Sequence, residues 1–208
     1  MTSGNKGFTL VELLVVMVII ASLAGIGMIS IPPILRNMDR KATEAYLMNL
    51  TAALEAYRSS EGTYPPTTLR DFPGVGAVNS LENCGVSALV MCLNSKAYSG
   101  AFDFEDGKIV TLSEDGSGMT QVQLTRFGDR KLYTLVDKWG TTLAYVNATD
   151  YANPDVRNVS AVEGTLKFVP WQSQKTKTAF RRDSFQLVSA GPDRVFNTED
   201  DVTNFDRN

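Results

Sequence analysis

The chain has 208 residues, of which 43% are hydrophobic and 21% charged, with a formal net charge of −3. That length suits one N-terminal helix followed by a single globular domain, and the mild acid excess, with no basic patch to collect phosphates, argues against nucleic acid as a partner. The sequence contains no histidine, which removes Ser-His-Asp and Cys-His catalysis and every His-ligated zinc site.

The most informative stretch comes first. After Asn5-Lys6-Gly7, residues Phe8 to Ile31 run apolar with one charge among them, Glu12. As a helix rising about 1.5 Å per residue, this stretch reaches about 36 Å, enough to cross a bilayer core of about 30 Å. A carboxylate is out of place there. A charge at the centre of a membrane helix costs about 2.5–3.5 kcal/mol, less near an end, and an intramembrane acid points to function. A secretory signal peptide has an apolar core of about 7–15 residues and then a small-residue cleavage site. Here Ala21-Ser22-Leu23-Ala24 mimics such a site, but apolar sequence continues beyond it. A plain membrane anchor explains the length but neither Glu12 nor the Lys6-Gly7-Phe8 junction.

The hexapeptide Gly7-Phe8-Thr9-Leu10-Val11-Glu12 resembles the class III signal of type IV prepilins and type II secretion pseudopilins: a short basic leader ending in Gly, then Phe-Thr-Leu-x-Glu and a hydrophobic helix. The resemblance implies that a prepilin peptidase cuts between Gly7 and Phe8 and methylates the new N-terminus at Phe8. Glu12 is then the fifth residue of the mature chain. Cleavage creates an ammonium at Phe8 within about one helical turn of Glu12. In a packed filament a neighbouring subunit's ammonium would pair with that carboxylate, making Glu12 the assembly residue.

Pro32-Pro33 follow the apolar stretch. An interior proline removes a helical hydrogen bond and costs about 3 kcal/mol, and Gly25 and Gly27 weaken the helix further, so a kink or local melting is expected here. Type IV pilins carry a helix-bending proline in this region. A second helical stretch runs from about Ile34 to Ser59, with Leu47, Leu50, Leu54 and Tyr57 at i, i+3, i+7 and i+10 on one face. Ala42, Ala45, Ala53 and Ala56 widen that face, while Arg36, Asp39, Arg40, Lys41 and Arg58 keep the other side polar. The two stretches read as one long helix, the first half membrane or filament core and the second half the spine of the globular domain. Gly62-Thr63-Tyr64-Pro65-Pro66 stops it, and Tyr-Pro directly after the long helix also resembles pseudopilins.

Leu69 to Val78 reads as loop, and Asn83 to Leu93 as a short helix with Val86, Leu89, Val90 and Leu93 on one side. Within that segment lie the only cysteines, Cys84 and Cys92. An uninterrupted helix would hold their Cα atoms about 12 Å apart, too far for a disulfide; either the segment bends at Gly85 or the thiols are free and buried. Two thiolates without histidine make half a zinc site. From Ala101 the period shortens. Candidate strands are Phe102–Phe104, Lys108–Leu112, Thr120–Leu124, Thr134–Val136, Leu143–Asn147, Thr165–Val169 and Phe185–Ser189, separated in part by turns at Asp106-Gly107, Asp115-Gly116-Ser117-Gly118 and Gly128-Asp129. Asp137-Lys138-Trp139-Gly140 resembles the Asp-Pro-Trp-Gly turn of major pseudopilins, with Lys138 in place of Pro and Trp139 expected as a core aromatic. The insert from about Leu81 to Arg130 is long for a compact major pseudopilin and leaves the subtype open.

The C-terminus places Asp193, Glu199, Asp200, Asp201 and Asp206 close together with Arg194 among them. Clustered carboxylates beside carbonyls suit Ca²⁺, which takes about six to eight oxygen ligands; the alternative is a solvated acidic tail. The spacing is not an EF-hand, because Val195 falls on a ligand position. The Ser-x-Gly-x-Asp…Asp-Asp order resembles the calcium loop of type II secretion major pseudopilins. It implies side-chain ligands Asp193, Asp200 and Asp201, with main-chain carbonyls at Ala190 and Thr198. Arg194 stands where that family commonly has Gly.

The expected fold is therefore α+β and pilin-like, a long N-terminal helix packed on a small antiparallel sheet. Its parts are a leader at 1–7, a hydrophobic helix at 8–31, the amphipathic half of the spine at 32–61, and a periplasmic globular domain at 62–208. The resemblance implies a non-enzymatic pseudopilin of a type II secretion system, of the major, G-type kind. Such a subunit sits as a single-pass inner-membrane protein in lipid before assembly. Its partners are prepilin peptidase, an inner-membrane assembly platform, minor pseudopilins and further copies of itself in a helical filament. A type IV pilin or minor pilin for adhesion, motility or DNA uptake is the first rival. A membrane-anchored enzyme or ligand-binding domain is the second, and it lacks a nucleophile motif.

Overall fold

The computed structural model describes residues 7–70, 83–112, 125–162 and 164–207, apart from the side chains of 24–34. The chain forms two compact units, Met1–Lys41 and Ala42–Asn208. Helix α1 (Leu10–Glu61) begins in the first and ends in the second. It continues without interruption through Pro32-Pro33, so the local melting expected there does not occur. Proline fixes φ near a helical value and costs hydrogen bonds rather than helical dihedrals.

In the first unit, every described side chain of α1 from Leu10 to Leu23 is exposed. A helix apolar on all sides is normally covered by other protein or by lipid. Among the described residues no helix is long and apolar enough to cross a membrane.

In the second unit, α1 turns one face inward from Thr43 onward: Thr43, Tyr46, Leu47, Leu50 and Leu54 are buried and Tyr57 packs against them. These positions follow the helical period. Ala42, Ala45 and Ala56 are exposed, so the face is narrower than the alanine pattern implied, with Tyr46 filling space that methyl groups cannot. The helix ends where expected. Gly62 adopts a left-handed φ of 79°, and its N–H bonds the Arg58 carbonyl at 2.8 Å, a glycine C-cap. The following segment is tied to the sheet: Tyr145 Oη donates to the Pro65 carbonyl at 2.7 Å, and the Asn147 N–H donates to Thr67 Oγ1 at 2.9 Å. Tyr64 Oη donates to Glu55 at 2.7 Å, and Arg181 pairs with the same carboxylate at 3.1 Å.

Helix α2 (Gly85–Leu93) is buried along its whole length. One side joins the main core through Val86, Leu89, Val90 and Leu93, and the other packs Ala88 and Met91 with Leu69 and Leu132. Cys84 and Cys92 are buried and not disulfide-bonded; burial pushes the Cys92 thiol up to about 11, so it stays protonated and inert. Gly85 is required by close packing, since a Cβ there would lie 2.6 Å from the Tyr145 carbonyl oxygen.

The described strands form three antiparallel sheets. β1 (Ile109–Thr111) pairs with β2 (Tyr133–Leu135); β6 (Phe185–Ser189) pairs with β3 (Ala144–Asn147) on one edge and β7 (Val202–Thr203) on the other; β4 (Asn158–Ala161) and β5 (Gly164–Lys167) make a hairpin. The architecture is α+β and consistent with a pilin-like fold. Residues 102–104 are not a strand. Their aromatic rings pack instead, Phe102 on Phe104 at 5.0 Å, and Phe127 continues the cluster onto Tyr133 at 4.5 Å. The expected strand at 120–124 lies outside the described residues. The central sheet is buried on both faces: Tyr145, Phe185 and Leu187 face the main core, while Ala144, Val146 and Val188 face a second cluster with Phe168 and Phe196.

Candidate functional site

Two regions carry the candidate site residues, one in each unit. In the first, Gly7 and Phe8 precede α1 in exposed, non-helical chain, and Phe8 is 76% exposed. That is the conformation a peptidase needs, since a helical peptide bond is shielded by its own hydrogen bonds. Thr9 is the residue before the helix, and Glu12 closes its first turn. The Thr9 N–H donates to Glu12 Oε2 at 2.9 Å and the Thr9 hydroxyl donates to the same oxygen at 2.8 Å. In return the Glu12 N–H donates to Thr9 Oγ1 at 3.3 Å. This reciprocal pattern is a capping box. Thr-x-x-Glu before an apolar run is a legible signal for it, and it gives Glu12 a role within its own chain beside the intermolecular one that the resemblance implies. The box satisfies amide groups that have no helical partner, which matters most where water is scarce.

The second region is the loop from β6 to β7. Gly191 turns it with a φ of 70°, and a Cβ there would meet the Asp200 carbonyl oxygen at 2.5 Å, so only glycine lets the ends of the loop close. Asp193 is exposed, and its Oδ1 accepts the Val195 N–H at 2.8 Å. Asp200 Oδ2 accepts the Asp193 N–H at 3.2 Å, and its Oδ1 accepts the Thr198 hydroxyl at 2.5 Å. Burial raises the Asp200 pKa, but these hydrogen bonds outweigh it and the net shift is downward. Asp201 is fully buried. Its Oδ2 accepts the Asn197 N–H at 2.9 Å and Trp171 Nε1–H at 3.1 Å, while its Oδ1 has no hydrogen-bond partner. Burial pushes this carboxyl up to about 6.

The five expected calcium ligands lie on one loop, where Asp193 meets the Asp200 carboxylate through its N–H at 3.2 Å. Ala190 is buried in the core cluster beside β6. The Thr198 carbonyl accepts a hydrogen bond from Arg207 Nη1 at 3.0 Å, and the same guanidinium reaches the Glu199 and Asp201 carbonyls at 2.8 and 3.0 Å. Among the described residues no three acidic or thiol side chains gather in a way that could hold a metal ion. What fits a cation is the unpartnered buried oxygen of Asp201, with Asp200 adjacent and partly exposed. Arg207, which also stacks on Trp171 at 4.9 Å, was not singled out by sequence reasoning; a lone arginine near a terminus carries no signal until its carbonyl partners are seen.

Asp137 ties the neighbouring turn to the same sheet. Its Oδ1 accepts the N–H groups of Trp139 and Thr141, each at 2.9 Å, and its Oδ2 accepts the Ser189 hydroxyl at 2.7 Å. Trp139 is half-buried against the main core.

Comparison with curated proteins and with solved structures finds no match. The family model described as the prokaryotic N-terminal methylation motif matches residues 2–28, which span the Gly7-Phe8 junction, the Thr9–Glu12 cap and the start of the apolar helix. That motif is the class III prepilin signal and is consistent with a type IV pilin-like protein: it implies processing by prepilin peptidase, a membrane-anchored precursor and filament assembly.

Proposed function

We propose that this chain is a non-enzymatic pseudopilin, a structural subunit of a type II secretion pseudopilus stored in the inner membrane with its C-terminal domain in the periplasm. The observation that carries this is the methylation motif at residues 2–28, with the exposed Gly7-Phe8 junction before a helix apolar on all sides. The secretion class is favoured over the pilus class by the C-terminal loop with its Gly191 closure and paired Asp200-Asp201, where a pilin would carry a disulfide-bounded loop. Calcium belongs to the same proposal. Asp200 and Asp201 would hold it, completing the unpartnered Asp201 Oδ1, and the ion would neutralise the loop's carboxylates. Deleting the gene tests the class. Retention of folded cargo in the periplasm with surface pili intact supports the secretion role; loss of pili with normal export assigns the chain to the pilus class.

A further inference from the structure

Beside the C-terminal loop lies a cleft of about 410 Å³, a volume typical of small-molecule sites. Its apolar side is formed by Val110 from β1, Val136 after β2, and Val162 and Leu166 from the β4–β5 hairpin. Val162 is 50% exposed. Thr141 also lines the cleft, and its buried hydroxyl has no hydrogen-bond partner. Among the described lining residues the single charge is Arg194, and none is acidic.

Arg194 sits in the left-handed region with a φ of 61°, a conformation that penalises any residue bearing a Cβ. Residues held in such conformations cluster at ligand-contacting positions. Its N–H donates to the Gly191 carbonyl at 3.2 Å, but among the described residues its guanidinium forms no ion pair. Glycine would turn the backbone here at no cost, so the arginine is spent on its side chain, and that side chain borders an apolar cleft.

We propose that this cleft binds a carboxylate attached to an apolar body, the carboxylate on Arg194 and the body against Val110, Val136, Val162 and Leu166. A guanidinium presents paired donors that match a carboxylate in one plane, and the apolar walls supply the burial that holds the rest of the ligand. The same chemistry is offered by a free short-chain acid and by the C-terminal residue of a peptide. Calorimetric titration of the full chain in detergent with hexanoate and with N-acetyl-leucine separates the two sources, using hexanamide and N-acetyl-leucinamide as uncharged controls. At least one acid binds about tenfold or more tightly than its amide, and Arg194→Gly weakens it by about tenfold or more. Because glycine relieves the left-handed backbone, the variant melts at or above the wild-type temperature, so lost binding reports the guanidinium and not the fold. Preference for N-acetyl-leucine assigns the cleft to a peptide terminus, and preference for hexanoate to a free acid. Failure of both acids to bind, equal binding of acids and amides, or unchanged binding by Arg194→Gly would overturn the proposal.

Discussion

Thr9 and Glu12 hydrogen-bond each other in both directions across the first turn of α1, through Thr9 N–H and Oγ1 to Glu12 Oε2 and through Glu12 N–H to Thr9 Oγ1. The carboxylate therefore has a partner within its own chain before any neighbouring subunit arrives. In a filament a second subunit's ammonium would join this arrangement, and the intermolecular gain would be register more than bulk stability, because both charges would be desolvated.

The two roles of Glu12 separate by mutation. Glu12→Gln keeps an acceptor for the Thr9 N–H and removes the charge, so the helix start persists while filament yield falls. Thr9→Val removes the hydroxyl, costs the cap about 1 kcal/mol, and leaves the charge for assembly. Filament yield at matched expression, with helix start followed by amide exchange, distinguishes them; normal assembly of Glu12→Gln would remove the charge-pairing role.

Arg207 holds three carbonyls of the C-terminal loop and stacks on Trp171. Arg207→Ala is expected to lower stability by about 1–3 kcal/mol, the order of hydrogen bonds made by a charged group. Arg207→Lys recovers part of it, since one ammonium cannot span the same carbonyls. Thermal unfolding measures both.

Calcium would act on the same loop. The full chain in detergent should melt at a higher temperature with millimolar calcium than with chelator, because a ligand bound only to the folded state stabilises it by mass action. Asp200→Ala should abolish the difference and Glu199→Ala leave it largely intact. Coincident melting curves without heat of binding would return the segment to a self-contained loop pinned by Arg207.

Asp137 supplies a pH dependence with a definite sign. Burial raises its pKa above 3.8 despite the hydrogen bonds from Ser189, Thr141 and Trp139, so the folded state holds this proton more tightly than the unfolded chain. Its contribution to stability is largest below about pH 4 and is lost as the pH rises through the raised value. Asp137→Asn, which cannot ionise, should flatten that fall, so the variant compares better with wild type at pH 7 than at pH 4. A difference between the two proteins that is the same at both pH values would contradict this.

The helical parts were the most legible in the sequence because their signals are local. Leu47, Leu50 and Leu54 mark the buried stripe of α1, Gly62 marks its end, and α2 lies within the expected 83–93. Strands β1, β2, β3, β5 and β6 overlap expected ones. β4 and β7 were missed, since Asn158–Ala161 and Val202–Thr203 are too short and polar to alternate visibly, and they exist because partners across the hairpin and beside β6 complete them. Of the candidate sites, the Gly7-Phe8-Glu12 constellation is contiguous and so could be read directly. The role of Arg207, the orphaned oxygen of Asp201 and the cleft beside Arg194 depend on tertiary approach and leave no periodic trace.

The most direct test of the prepilin-type assignment is the intact mass and N-terminal sequence of protein extracted from membranes of cells that contain a prepilin peptidase. Loss of residues 1–7 with a methylated Phe8, abolished by Gly7→Val, is the expected result. A chain that still begins at Met1, or one that begins after Ala24, would contradict it.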